Sequence, residues 1–231
     1  MSRGDPVQIV PLEAWHAPHL EALQVTCFPT LAAAERMRAE HFLRHLEVFP
    51  AGTFVALAHA APDGASLSEA RVVGLGSGFR TDFDLDHPDH TFIEIIDGGW
   101  FGHHDPHGEW YYGADVSVHP EYRRRGIGGR LYDARKALCR RLDLRGIVAG
   151  GALPGFAHHK HALSAEAYVA AVVAGELRDP TLSMQLRYGF EVHGVLQGYL
   201  DDAAADGWAS LIVWRNPDWS GGAKRDGTPS V

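Results

Sequence analysis

The stretch that most constrains the fold is a run of three arginines followed at once by a glycine-rich turn. It lies in VSVHPEYRRRGIGGRL, residues 116–131. A strand pattern, WYYGADVSV at 110–118, precedes it, and apolar residues at helical spacing follow it from Ile127 to Leu142. A strand, turn and helix in this order expose unpaired backbone N–H groups where the helix dipole adds positive charge. The stretch therefore predicts an anion site, most often one for phosphate.

Two common phosphate-binding motifs do not fit this turn. A P-loop needs Lys-Ser or Lys-Thr after its last glycine, whereas Gly129-Arg130 follows Gly128 here. A Rossmann fingerprint needs a third glycine where this chain has Leu131, and no acidic residue follows at the end of the next strand. The alternative to an anion site is a solvated helix start. The net charge of −8 argues against non-specific nucleic-acid binding and makes the local cationic run more distinctive.

Periodicity predicts one mixed α/β domain over 1–231, with a core at about 7–216 and a loose tail at 217–231. The predicted order is β, α, α, β, β, β, β, α, β, α, α, β, β. In the first half of the chain we predict a helix over LAAAERMRAEHFLRHLEVF, a hairpin around the turn PDGASLSEA and a strand at TFIEII. In the second half we predict a short helix with Asp179 as N-cap, Pro180 at N1 and Gly189 at C′. A strand is predicted after it at EVHGVLQGYL.

The composition argues against a membrane or secreted protein. No apolar run reaches the length of a membrane span, and the N-terminus lacks the pattern of a secretion signal. Cys27 and Cys139 lie far apart, without metal or redox spacing. A reducing cytoplasmic location is therefore expected.

The stretch 116–131 resembles the acetyl-CoA loop of the GNAT superfamily of N-acetyltransferases. The family motif is Arg/Gln-x-x-Gly-x-Gly/Ala after a strand that ends in Val-x-Pro. Here it is Arg123-x-x-Gly126-x-Gly128, behind Val118 and Pro120. The predicted element order, with a helix ending in Gly189-Phe190, also resembles the GNAT fold over about 7–214. The resemblance implies a mixed α/β fold with a mostly antiparallel central sheet flanked by helices.

The resemblance also implies acetyl-CoA as co-substrate and a role for each residue of the loop. The backbone of Val116 and Val118 would pair with the pantetheine arm like an added strand. The N–H groups from Arg124 to Gly129 would hold the pyrophosphate, with the arginines close by. The strand RGIVAGGALPGF would splay away from the motif strand and leave a gap for the acyl group. The cofactor-binding residues implied are Val116, Val118, Arg123, Arg124, Arg125, Gly126, Ile127, Gly128 and Gly129.

The catalytic residues follow the family pattern less closely. Many members carry a glutamate six residues before the last valine of the motif strand, and this chain has Tyr112 there. Glu109, Asp115 and Glu94 are the nearby carboxylate candidates, although a plain surface or structural acid is the simpler interpretation of each. Many members also carry a tyrosine acid four residues before the Gly of Gly-Phe, and this chain has Gln185. Tyr188 is expected to point elsewhere on that helix, and Tyr199 is an outside candidate.

Three other segments suggest further roles. The histidines of GHHDPHGE have irregular spacing, so we expect a solvated or substrate-facing loop and no metal. The acidic loop TDFDLDHPDH could attract a cationic amine, or be merely hydrated. The helix SAEAYVAAVVAGEL is apolar nearly all round, which indicates a lid over the acceptor site or a homodimer contact. It resembles a subgroup of GNAT domains sometimes joined to carbon–nitrogen hydrolases.

The functional hypothesis is an N-acetyltransferase that moves an acetyl group directly from acetyl-CoA to a primary amine in a ternary complex. The alternative hypothesis is a catalytically weak acyl-CoA-binding or partner-binding module, because the usual glutamate and tyrosine are missing. We expect neither a nucleic acid nor a membrane as a partner. The sequence does not specify the amine acceptor.

Overall fold

One seven-stranded sheet, in the order β1-β2-β3-β4-β5-β7-β6, organises the protein. The computed structural model describes residues 7–59, 70–202 and 205–221. Neighbouring strands are antiparallel except for β4 and β5, which are parallel. The predicted fold class is therefore confirmed. The strands are β1 (Val7–Pro11), β2 (Phe54–Ala58), β3 (Arg71–Thr81), β4 (Trp110–Val118), β5 (Gly146–Ala152), β6 (Glu191–Leu196) and β7 (Ala209–Arg215).

Helices cover both faces of this sheet. Their bounds are α1 (Ala17–Cys27), α2 (Ala39–Val48), α3 (Phe92–Ile95), α4 (Ile127–Arg141), α5 (Ala165–Val173) and α6 (Leu182–Arg187). The side chain of Tyr112 packs in the core shared with α1, α2 and α3. Its neighbour Tyr111 packs in the core shared with α4, α5 and α6. Successive side chains of β4 thus point to opposite faces of the sheet, as expected for a strand. No helix in the described ranges is long and apolar enough to cross a membrane.

The predicted strand at TFIEII is wrong, because this segment contains the short helix α3. Thr91 Oγ1 accepts a hydrogen bond from Glu94 N at 3.3 Å, and the Glu94 carboxylate accepts from Thr91 N at 3.0 Å. This reciprocal capping box satisfies two backbone donors that a helix start leaves open. A short apolar run does not distinguish a strand from a buried helical turn by periodicity alone.

The helix predicted over 31–49 is shorter than expected, since α2 begins only at Ala39. The reason is a cap: His41 Nδ1 accepts a hydrogen bond from Arg38 N at 3.1 Å. Before this cap the chain makes one 3-10 turn at Ala33–Glu35 and then becomes extended at Arg36. The hydrophobic pattern therefore predicted the face of the helix correctly and its start incorrectly.

Asp179 caps α6, although the helix begins at Leu182 and not at Pro180 as predicted. Asp179 Oδ1 accepts from Thr181 N at 2.8 Å and Leu182 N at 2.9 Å. Gly189 ends this region with φ +74°, as predicted. The strand at EVHGVLQGYL stops at Leu196, so Tyr199 lies in the connection to β7. Residues 60–69 of the hairpin turn and 222–231 of the tail lie outside the described residues.

Candidate active site

The parallel pair β4 and β5 separates halfway along its length. The two strands pair only at Trp110 with Gly146, Tyr111 with Ile147 and Tyr112 with Val148. A bulge follows in β4, because Ser77 of β3 pairs with Asp115 while Gly78 pairs with Gly113. The extra residue, Ala114, bends the strand away from its neighbour. A gap therefore opens between 113–118 and 149–152, as the resemblance implied.

The edge of β4 that faces this gap is open for another extended chain. His119 N donates to Val73 O of β3 at 2.9 Å. Backbone groups alternate sides along a strand, so Val118 and Val116 direct theirs away from β3 and into the gap. Arg123 Nε donates to Val118 O at 3.0 Å. The predicted pairing positions are thus placed where an extended ligand would run.

A buried arginine, Arg135 of α4, holds the bulge in place. Its side chain is 1% exposed. Its Nη2 donates to the carbonyl oxygens of Ser77 and Asp115, one on each strand of the β3–β4 pair. The guanidinium also lies 5.5 Å from the ring centroid of Tyr111. Sequence reasoning missed this residue, because an arginine in an amphipathic helix is ordinarily a surface residue.

The glycine turn forms a concave backbone surface at the start of α4. Arg124 has φ +60° and Gly126 has φ +78°, both in the left-handed region. Left-handed residues among right-handed ones turn successive N–H groups toward a common point, which favours an anion. Arg125 Nη2 donates to Glu121 O at 3.0 Å, so Arg123 and Arg125 both brace the loop, although all three arginines are exposed.

The other side of the turn is lined by α6. A Cβ built on Gly129 would lie 1.7 Å from the Tyr188 hydroxyl oxygen, and one on Gly128 would lie 3.4 Å from Met184 Sδ. Gln185, one turn earlier, donates from Nε2 to Tyr132 OH of α4 at 3.4 Å. Tyr188 and Gln185 therefore face α4 together. The expectation that Tyr188 points elsewhere on the helix is wrong, because positions i and i+3 share one helix face.

Tyr112 lies where β4 and β5 part, in a chain of three hydrogen-bonded side chains. Its hydroxyl is 2.6 Å from His90 Nε2 and 2.9 Å from Tyr199 OH. Burial raises the pKa of Tyr112 well above its ordinary value and raises that of Tyr199. Burial lowers the pKa of His90, which keeps the imidazole neutral. The sequence carried no signal for His90, since it lies in a polar loop without periodicity.

Asp115 faces α1 and is fully enclosed. It accepts hydrogen bonds from Gln24 Nε2 at 2.6 Å and from Ser117 Oγ at 3.1 Å. Burial raises its pKa to about 6, while the hydrogen bond from Gln24 and the charge of Arg135 act in the opposite direction. Asp115 is thus a carboxylate with a pKa near neutrality, one strand position from Val116.

Glu109 lies at the other end of β4. It forms an ion pair with Arg145 Nε at 2.7 Å, and its carbonyl accepts from Arg145 N. Seven residues separate it from Val116, or about 20 Å along a strand. The structure therefore places Tyr112 where β4 and β5 part, encloses Asp115 against α1, and leaves Glu109 at the far end of β4.

A cleft of about 440 Å³ opens beside His90. Asp89 and His90 form one side of it and Glu166 of α5 another, and the remaining lining comes from the ends of β6 and β7. The residues that complete this lining are Val195, Leu196, Gln197 and Trp208. His90 thus lines the cleft and is hydrogen-bonded to Tyr112, which lies where β4 and β5 part.

In the histidine-rich loop GHHDPHGE, His104 stabilises the fold. His104 Nδ1 accepts from Arg80 N at 3.2 Å, and its ring stacks on Phe49 with centroids 4.8 Å apart. Within the described ranges, no three His, Cys, Asp or Glu side chains are grouped so as to hold a metal ion.

The comparisons with known proteins agree with this geometry. YkwB of Bacillus subtilis (strain 168), described as an uncharacterized N-acetyltransferase, is 33% identical over 198 residues, covering 85% of this chain and 83% of YkwB. YhcX of the same organism, described as a probable hydrolase, is 39% identical over 85% of this chain, which spans only 36% of YhcX. The solved structure of the GNAT-like decarboxylase GphF with isobutyryl-CoA superposes with a TM-score of 0.71 at 22% identity, covering 90% of this chain and 98% of GphF.

The family assignment follows from the length of chain that matches. Residues 18–154, from α1 to just past β5, match the family described as acetyltransferase (GNAT) family. This range contains the bulge, the gap and the glycine turn, which are the features that form the site. The chain belongs to the acetyltransferase (GNAT) family.

Proposed function

We propose that this protein is an N-acetyltransferase that moves an acetyl group from acetyl-CoA to a primary amine. The observation that carries the proposal is the open edge of β4 at Val116 and Val118, which leads directly to the glycine turn at the start of α4. An extended arm ending in a pyrophosphate matches both halves of this arrangement. The GphF structure with isobutyryl-CoA supports an acyl-CoA as the donor.

Each part of the donor has a counterpart in the site. The backbone of Val116 and Val118 pairs with the pantetheine amides. The N–H groups of Arg124 to Gly129, including that of Ile127, hold the pyrophosphate. Arg123 and Arg125 brace this loop, and the exposed Arg124 adds positive charge beside it. The acyl group lies in the gap between β4 and β5, near Tyr112.

The raised pKa values of the two cysteines support direct transfer in a ternary complex. Burial raises the pKa of Cys27 to about 11 and that of Cys139 to about 12, so neither forms a thiolate nucleophile at neutral pH. The amine nitrogen attacks the thioester carbonyl, the C–N bond forms, and the C–S bond breaks to release CoA. Of the three catalytic candidates, Tyr112 lies nearest the point of transfer, Asp115 is held by Gln24 and Ser117 on the α1 face, and Glu109 stays a prediction.

The test measures thiol release from acetyl-CoA across a panel of amines, with CoA binding measured separately by calorimetry. Gly126→Val should abolish CoA binding, because a branched residue at φ +78° distorts the turn. Gly175→Val is the matched control: it has the same φ, equally open space around a built Cβ, and lies after α5. Binding that survives Gly126→Val would refute the loop assignment.

A second candidate, an acyl-CoA-binding module with weak catalysis, is favoured by one observation. Gln185 occupies the family's usual acid position and hydrogen-bonds Tyr132 at 3.4 Å. CoA binding without amine-dependent thiol release would support this candidate. Consumption of malonyl-CoA without an amine would instead indicate the chemistry that the GphF description names.

We further propose that residues 7–216 act as one domain, because the single sheet β1–β7 spans them. The activity of any longer protein that contains such a domain is not implied by this proposal. A homodimer contact through α5 and a cytoplasmic location stay predictions.

A further inference from the structure

Two buried tyrosines and a half-buried histidine form a hydrogen-bonded chain with one fixed direction. Pro88 O is 2.6 Å from His90 Nδ1, and a carbonyl only accepts, so Nδ1 carries the proton. In a neutral imidazole Nε2 is then an acceptor. Tyr112 OH donates to Nε2 at 2.6 Å, and Tyr199 OH donates to the Tyr112 oxygen at 2.9 Å. The direction therefore runs from Tyr199 through Tyr112 to His90.

The two ends of this chain border different spaces. At one end is Gly150, in the part of β5 that no longer pairs with β4. A Cβ on Gly150 would lie 2.6 Å from the Tyr199 hydroxyl oxygen, so this phenol packs against the wall of the gap. At the other end, His90 lines the cleft that also contains Asp89 and Glu166. Tyr112 and Tyr199, at 0% and 2% exposed, bridge the interior between them.

We propose that Tyr199, Tyr112 and His90 relay a proton from the gap between β4 and β5 to the cleft, with His90 as the terminal acceptor. The relay rests on the proposed function. It supplies what the chain lacks at the family's usual glutamate position, because a phenol alone is a poor base at neutral pH. Each phenol accepts one proton as it donates the proton that it already carries, so neither tyrosine has to become a phenolate.

The proton balance closes without another reactant. The acceptor enters as an ammonium ion and gives one proton to the Tyr199 oxygen. Tyr199 passes its own proton to Tyr112, and Tyr112 passes its proton to His90 Nε2, which leaves His90 as an imidazolium ion. The imidazolium gives one proton to water in the cleft when its ring turns away from Pro88 O and Tyr112 OH, the two groups that hold its nitrogens. The free amine then attacks the thioester carbon. The second N–H proton, lost from the tetrahedral adduct, ends on the sulfur of CoA.

The surroundings of His90 decide the pH range of the relay. Burial between the rings of Phe83, Tyr112 and Tyr199 lowers the pKa of His90 below its ordinary value of 6.5, and the charges of Glu94 and Asp89 offset part of this. Glu166 faces the same cleft, and the charge of Glu35 acts on Tyr199. Turnover should therefore be full at pH 7 and fall as the pH drops below 6.5 and through the His90 pKa.

The experiment compares kcat and KM of Tyr112→Phe, Tyr199→Phe and His90→Ala between pH 5 and 8, with the amine that serves the wild type best. Each variant should lower kcat at pH 7 about a hundredfold and leave KM for acetyl-CoA unchanged. Added imidazole should restore turnover to His90→Ala only. Tyr111→Phe is the control on the same strand, because its hydroxyl donates to Gly52 O on the other face and its loss should leave kcat unchanged.

The outcomes separate the relay from the proposed function. Wild-type protein that releases no thiol with any amine overturns the proposed function, and the relay with it. An active wild type whose Tyr112→Phe, Tyr199→Phe and His90→Ala variants keep kcat within about twofold overturns the relay alone. A purely structural role for His90 would show as lower thermal stability without imidazole rescue, which also overturns the relay.

Discussion

The hydroxyl of Tyr188, the residue that follows α6, lies directly against Gly129 in the first turn of α4, where a built Cβ would come within 1.7 Å of the oxygen and 2.1 Å of Cζ. Gly129 is thus required for the approach of another helix and not for a turn, since its φ is not positive. The contact fixes α6 beside the glycine turn, so the shape of the proposed CoA site depends on both helices.

Gly129→Ala should destabilise the protein by about 1–3 kcal/mol, because overpacking at a closed contact forces neighbours apart. It should also weaken CoA binding, since the displaced α6 borders the same turn. Urea unfolding and calorimetry with CoA measure the two effects. In a Tyr188→Leu background the cost of Gly129→Ala should shrink, as expected for residues in contact.

Gly128→Ala is the matched control for this prediction. Its nearest neighbour is Met184 Sδ at 3.4 Å, the flexible part of a side chain that can move aside. Equal losses of stability in Gly128→Ala and Gly129→Ala would contradict the role assigned to Tyr188.

Asp179→Asn should cost about 1–3 kcal/mol, since its new amide group would face two donors. Asp179 Oδ2 accepts from Gly155 N and Tyr168 OH, both at 2.9 Å, and so joins α5 and the end of β5 to α6. Tyr168→Phe removes only one of these bonds and should cost less. Chemical denaturation compares the two variants, and a larger loss for Tyr168→Phe would argue against a central role for the carboxylate.

Stability should fall as the pH drops below 6.5. His45 is 1% exposed, and burial lowers its pKa from 6.5 to about 4. As the pH falls, the unfolded chain therefore binds a proton at His45 before the folded protein does. The contribution of neutral His45 to the free energy of unfolding is complete above pH 6.5 and is lost as the pH falls to about 4. The full loss is about 3 kcal/mol.

The measurement for His45 is the free energy of unfolding at pH 7 and pH 5. His45→Phe keeps the stacking on Phe101, whose ring centroid is 3.6 Å away, and removes the titration. The difference between the two pH values should therefore shrink in this variant. The lowered pKa values of His16, His41 and His104 leave part of the acid sensitivity in place.

Arg135→Lys should weaken CoA binding and lower stability by about 2 kcal/mol, because the lysine side chain is one bond shorter and its ammonium group falls short of the point from which Arg135 Nη2 donates to both Ser77 O and Asp115 O. The β4 bulge would lose the hydrogen bonds that hold it, and the width of the gap between β4 and β5 would change. Arg140→Lys on the exposed side of α4 is the control. Thermal unfolding with and without CoA tests the pair, and unchanged CoA affinity in Arg135→Lys would show that the bulge holds without the arginine.

Much of the fold could be predicted because its elements have strong periodicity. The strand at 110–118 and the helix from Ile127 follow patterns that local physics alone decides. The errors occurred where a side chain overrode the pattern. Thr91 and Glu94 cap a helical turn in an apolar run that also suits a strand, and His41 starts α2 eight residues later than its hydrophobic face begins. Histidine caps are not part of the usual N-cap signals, so these boundaries carried no recognisable mark.

The sequence by itself determined the glycine turn between β4 and α4, because such a turn is built from backbone groups whose positions follow from local geometry. Only the tertiary structure decided the rest. Tyr112 and Tyr199 are 87 residues apart and meet at 2.9 Å, Gln24 and Asp115 are 91 apart and meet at 2.6 Å, and Arg135 reaches a bulge on two other strands. Contacts between buried side chains of distant segments depend on how sheet and helices pack, and no local pattern encodes that packing.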